Sequence, residues 1–107
     1  MGAYAAGRRF EGKAALVTGG GSGIGLGCAR RLVDEGATVT ICGRDEARLQ
    51  AGVESLGGGA RYVVADITDE AAVAEAVAVA SAATGSLDVV VANAGGTVAF
   101  GPLALVA

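Results

Sequence analysis

Residues 14–25, Ala-Ala-Leu-Val-Thr-Gly-Gly-Gly-Ser-Gly-Ile-Gly, constrain the fold of this chain more than any other stretch. Four apolar residues lead into Thr18, glycines occupy five of the next seven positions, and an amphipathic stretch begins at once. A short, continuous apolar run suits a strand covered on both faces, as in a parallel sheet. Glycines let the following turn take positive φ and leave no Cβ between backbone and ligand. A helix starting there directs free N–H groups and the positive end of its dipole at the space above the turn. Such a place suits a pyrophosphate. The spacing is Thr-Gly-x-x-x-Gly-x-Gly, on Thr18, Gly19, Gly23 and Gly25, and Gly-x-Gly-x-x-Gly is absent. By itself the motif also admits a turn that serves only strand-to-helix geometry.

The rest of the chain repeats the alternation. Residues 23–35 carry Ile24, Cys28 and Leu32, with Ala29 and Val33, at helical spacing, and Gly36 suits the position after a helix. The β-branched residues 38–42 read as a second strand. Asp45 can cap a second helix with Leu49, Val53 and Leu56 inward, ended by Gly57, Gly58 and Gly59. Residues 61–65 form a third strand that closes on Asp66. Thr68, Asp69 and Glu70 supply a cap and an acidic first turn for a third helix, whose inner face is expected at Val73, Ala76, Val77 and Ala80. Gly85 stops it, and residues 89–92 are the fourth strand, running into Asn93.

Strands joined by helical crossovers are parallel, and such crossovers are right-handed. The expected fold is therefore α/β, the N-terminal half of a Rossmann-type doubly wound parallel sheet with strand order 3-2-1-4. Its switch point, the default place for a ligand, lies between strands one and four. Residues 1–107 read as one domain: a loosely held arm over 1–12, the βαβαβαβ unit over 13–96, and 97–107 leading toward a further half.

Composition removes several classes of function. A net charge of −3 without a basic patch argues against nucleic acid as a partner. No apolar run approaches the ~20 residues that span a bilayer, and Arg8 and Arg9 precede no apolar h-region, so neither membrane nor signal peptide is expected. With two cysteines and no histidine, zinc sites built on His or on four Cys are excluded, and no metal is expected. Two isolated thiols, Cys28 and Cys42, fit a reducing cytoplasm, with no disulfide between them.

Three motifs now stand in order: the Thr18–Gly25 turn, Asp66 after strand three, and Asn93-Ala94-Gly95 after strand four. Together they resemble the short-chain dehydrogenase/reductase family over about residues 10–102. The resemblance implies an oxidoreductase that moves hydride between a nicotinamide cofactor and an alcohol or carbonyl substrate. It implies cofactor contacts from Thr18, Gly19, Gly21, Ser22, Gly23, Ile24 and Gly25 around the pyrophosphate. Asp66 and Ile67 would serve the adenine, and Asn93, Ala94 and Gly95 the central strand near the nicotinamide. Asp66 could instead simply cap its loop, and Asn93 could be a turn residue. The end of strand two, Cys42-Gly43-Arg44-Asp45, bears on the choice of cofactor. A carboxylate there accepts from the ribose hydroxyls, whereas a guanidinium pairs with a 2′-phosphate. The position usually acidic in NAD-dependent relatives falls on Gly43, and Arg44 comes next, which favours NADP over NAD; a one-residue shift of the loop would turn Asp45 inward.

The family's chemistry uses a Tyr, a Lys four residues later, and an upstream Ser. Here Tyr4 and Tyr62 are followed at that spacing by Arg8 and Asp66, and Lys13 is the only lysine. No catalytic residue is expected in these 107 residues. The expectation is the cofactor-binding part of a larger, homo-oligomeric oxidoreductase, inactive and poorly soluble when made alone. A non-catalytic dinucleotide-binding module complete at this length, or another nucleotide-binding α/β protein, remains the alternative. Against the module, residues 89–91 would leave an apolar edge strand without Lys or Pro to protect it.

Overall fold

The computed structural model describes residues 9–19, 21 and 23–92. Strands rich in Val, Ile, Thr and Ala alternate with three helices: β1 (Ala14–Thr18), α1 (Gly23–Asp34), β2 (Thr38–Gly43), α2 (Glu46–Leu56), β3 (Arg61–Val64), α3 (Glu70–Ala82) and β4 (Val89–Val91). Every pairing is parallel and the order is β3-β2-β1-β4, as the alternation requires. β1 lies beside β2 from Ala14↔Thr38 to Thr18↔Cys42, and beside β4 from Ala15↔Val89 to Val17↔Val91.

Both faces of the sheet are covered, which is why β1 and β4 are buried along their whole length. Alternate side chains serve opposite layers. Ala15, Val17, Val39 and Ile41 pack with Ala29 and Leu32 of α1 and Leu49 and Leu56 of α2. Leu16 and Cys42 pack on the other side with Ala76 and Ala80 of α3. Cys28 belongs to the first layer and Cys42 to the second, so the sheet separates the thiols; both are free.

Helix ends obey local chemistry. Past the end of α1, Gly36 at φ +99° lets its own N–H reach Val33 O at 3.0 Å and the Ala37 N–H reach Leu32 O at 3.0 Å. These two bonds satisfy carbonyls that the helix would otherwise leave open. Asp45 caps α2 and Asp69 caps α3, each in an extended conformation with its carboxylate on the first-turn amides.

The structure departs from expectation in four places. β2 runs one residue further, to Gly43, because Gly43 still pairs with Val64, while β3 and β4 each stop one residue short. Ile24, expected on the inner face of α1, is 61% exposed, because the first turn stands beyond the end of β1; the buried face is Gly25, Ala29 and Leu32. Val77, expected inward on α3, is also exposed, and the stripe toward the sheet is Ala72, Ala76 and Ala80. That helix is apolar almost all round, so periodicity cannot choose a face, and the smallest side chains allow the closest approach. Residues 9–12 are tied down and not loose. Phe10 packs against the first layer and its N–H reaches Glu35 O at 3.0 Å. The Arg9 guanidinium grips the Glu35 carboxylate at 2.5 and 2.8 Å.

Candidate nucleotide-binding site

The carboxyl-terminal ends of the parallel strands point the same way, and the loops that leave them build the site. After β1, Gly19 takes φ +66° while its N–H stays on Cys42 O at 2.8 Å, so the chain leaves the strand at once yet remains anchored to β2. Gly23 opens α1 at φ +61°, and among the described residues no heavy atom beyond its chain neighbours and its own helix backbone lies within 4 Å of where its Cβ would be. The helix N-terminus thus faces open space that a side chain would fill, a fit for a phosphate group. Exposed Ile24 flanks it, and Gly25 is buried in the helix. Thr18 is buried, with Oγ1 donating to Val91 O at 3.5 Å, and it braces β1 to β4 below the turn.

At the end of β2, Gly43 presents no side chain and Arg44 is exposed. Among the described residues Arg44 makes no hydrogen bond or ion pair; its charge acts on Asp66, which it helps to hold ionised. Asp45 is not turned inward. Its Oδ1 accepts from the Arg48 N–H at 3.2 Å, and Oδ2 lies 3.6 Å from Arg48 Nε, so its charge is engaged at the start of α2.

At the end of β3, Asp66 Oδ1 accepts from both the N–H and the Oγ1 of Thr68, at 2.9 and 2.7 Å. Those bonds, with a smaller contribution from Arg44, hold its carboxyl below the ordinary carboxylate range, against the opposing effect of desolvation. One oxygen thus shapes the loop, the capping role open to Asp66 from its position, while Oδ2 takes no hydrogen bond from a described residue. Thr68, read from sequence as a helix cap, is the partner in this turn, and Asp69 is the cap. The Asp-x-Thr spacing carried that signal, since Asp side chains bond the backbone two residues on.

These parts enclose a cleft of about 410 Å³ lined by Gly19, by Gly43 and Arg44, and by Ala65, Asp66, Ile67 and Thr68. It extends over β1, β2 and β3, on one side of the switch point between β1 and β4. Gly19, Arg44, Asp66 and Ile67 therefore converge, whereas Thr18, Gly21, Gly23, Ile24 and Gly25 stand around the turn without lining the cleft. Ser22, Asn93, Ala94 and Gly95 lie outside the described residues, as does Tyr4. Tyr62 sits on edge strand β3 and donates to Glu46 Oε2 at 3.0 Å, which raises its pKa, the wrong direction for proton transfer at neutral pH. The Cys42 thiol is pushed up to about 11 by burial. Among the described residues no acidic, Cys or His cluster could hold a metal, and no helix is long and apolar enough to cross a membrane.

Comparison with known proteins agrees with this geometry. The model of the short chain dehydrogenase family matches residues 13–105. L-fucose dehydrogenase of Bos taurus is 45% identical over 91 residues, which are 85% of this chain and 33% of the relative. The 3-ketoacyl-(acyl-carrier-protein) reductase of Brucella melitensis, solved with NADH, superposes with TM-score 0.70 at 43% identity, covering 76% of this chain and 34% of that one. An actinorhodin polyketide ketoreductase solved with NADPH gives 0.73 at 40% identity, with coverages of 78% and 33%. The chain spans about a third of the length of the curated relatives it matches. With its parallel β3-β2-β1-β4 sheet, its glycine turn and a family match over residues 13–105, the chain belongs to the short-chain dehydrogenase family of oxidoreductases.

Proposed function

We propose that this chain is the dinucleotide-binding part of an NAD(P)-dependent oxidoreductase that acts on a small alcohol or carbonyl substrate and prefers NADP. The observation that carries the preference is Arg44: an exposed guanidinium without an ion pair among the described residues, at the mouth of the cleft, beside a residue with no side chain. A guanidinium there pairs with a 2′-phosphate, and Asp45, engaged with Arg48, offers no competing acceptor to the ribose. In this reading the cleft and the glycine turn beside it share the cofactor between them. The turn at Gly19 and the open N-terminus of α1 would take the pyrophosphate, and Asp66 Oδ2 with Ile67 would meet the adenine. Both cofactor types occur among the structural relatives, so the choice rests on this chain's own residues. A cytoplasmic setting and a homo-oligomeric state belong to the same proposal.

Titration of the full-length protein with NADPH and NADH, read by nucleotide fluorescence, tests it. Arg44→Ala should cost about 1.5–3 kcal/mol of NADPH binding, the range for hydrogen bonds to charged groups, and leave NADH almost unchanged. Equal losses for the two nucleotides would sink the assignment. The bound nicotinamide would supply the hydride, and the proton would need a group that these 107 residues lack in the family's Tyr-x-x-x-Lys form. Residues 1–107 made alone should therefore oxidise no NADPH with a panel of ketones and aldehydes; turnover would overturn that part of the proposal.

A further inference from the structure

Gly21 stands in the middle of the glycine turn, yet it does not line the cleft. It faces α2. A Cβ built on it would lie 3.3 Å from Arg48 Cβ, and 3.6 Å from both the Arg48 carbonyl carbon and the Leu49 nitrogen. Carbon atoms rest at about 3.5–4.0 Å, so only the first contact is too tight and Arg48 would have to give way. Unlike Gly19 and Gly23, Gly21 has no positive φ, so its backbone conformation does not call for glycine. Room for α2 does.

The part of α2 that it touches is a single unit. Asp45 accepts from the Arg48 N–H through Oδ1 and from the Leu49 N–H through its carbonyl at 3.0 Å, with Arg48 Nε beside Oδ2. Leu49, 1% exposed, anchors the unit in the core. Arg44 is the residue just before it. The first turn of α2 thus abuts the phosphate turn at Gly21, and Arg44, between Gly43 of β2 and the Asp45 cap, joins that turn to the cleft it lines.

We infer that Gly21 is a positioning residue for nucleotide selectivity. By letting the first turn of α2 seat against the phosphate turn, it sets how closely Arg44 approaches a 2′-phosphate. The inference rests on the proposed role of Arg44. A methyl group at position 21 moves the start of α2 by a few tenths of an ångström and carries Arg44 away from the cleft, with no atom added to the cleft itself.

The test uses the full-length protein without cofactor, and calorimetric titration with adenosine 2′,5′-bisphosphate and with 5′-ADP. Gly21→Ala should lower the affinity ratio of the two at least threefold, and amide exchange at residues 46–49 should quicken before any ligand is added. Arg48→Gly, placed on Gly21→Ala, removes the opposing Cβ and should restore the ratio; Arg48→Ala keeps that carbon and should not. Restoration by both, or by neither, would overturn the steric coupling, as would a Gly21→Ala ratio equal to wild type while Arg44→Ala lowers it. If Arg44→Ala itself leaves the ratio unchanged, the cofactor reading falls and the inference with it.

Discussion

At the scale of single residues, the site depends on what is missing from side chains as much as on what is present. Gly23 combines a left-handed φ of +61° with open space around its Cβ direction, at the amide end of α1. The Cβ of a branched residue there would meet no described residue beyond its own neighbours, but the substitution would incur backbone strain of about 1–3 kcal/mol and occupy the phosphate space. Gly23→Val should therefore abolish binding of either dinucleotide while helix and strand content stay near wild type. Circular dichroism beside a binding titration separates those effects, and unaltered binding would make the turn purely structural. Arg44 and Asp45 show the complementary point. They are adjacent and opposite in charge, yet the helix cap engages one and leaves the other at the cleft.

At the scale of elements, each helix begins where an aspartate or a glycine can end a strand loop. Asp69 carries this for α3, accepting from the N–H groups of Ala71 at 3.0 Å and Ala72 at 3.4 Å. The helix it caps has little else to orient it, because its sides are almost uniformly small and apolar. Asp69→Ala should cost about 1 kcal/mol, the usual loss for an N-cap aspartate. Denaturant unfolding should show it as a lower midpoint with an unchanged slope. Because the Asp66–Thr68 turn lies one residue upstream, the same variant should weaken adenosine binding less than a change at Asp66 itself.

At the scale of the whole molecule, a buried carboxylate links the start of the described chain to the end of α1. Glu35 is 3% exposed and is held by Arg9 and by Arg31, one turn earlier in the helix. Those hydrogen bonds outweigh desolvation and hold its pKa down from 4.5 to about 2. A depressed carboxyl pKa means that the unfolded chain binds the proton more readily than the folded one. The stabilisation is complete above about pH 4.5 and is lost as pH falls toward 2. Glu35→Gln should therefore unfold at lower denaturant concentration than wild type at pH 7, and the gap should close by about pH 2. A gap that persists unchanged at acid pH would show that packing, not charge, holds residues 9 and 10 in place.

What the amino-acid order determined by itself is the part written in local chemistry. The alternation of β-branched runs with capped helical runs dictated four parallel strands and their 3-2-1-4 order, since crossovers leave little choice. Glycine and aspartate positions located the turn, the caps and most helix ends, because positive φ and exposed first-turn amides are properties of a few residues. The family resemblance, together with the end of β2, named Gly19, Arg44, Asp66 and Ile67, and the fold brings these four to one cleft. Tertiary structure decided what depends on distance across the sheet. It chose the alanine stripe of α3 over Val77, left Ile24 outside the core, and set Gly21 against Arg48 rather than into the cleft. It also drew Arg9 onto Glu35, 26 positions away. Each of these is a competition between two physically acceptable placements of the same side chain. Close packing against a partner far away in sequence settles it, and no local pattern carries that partner's position.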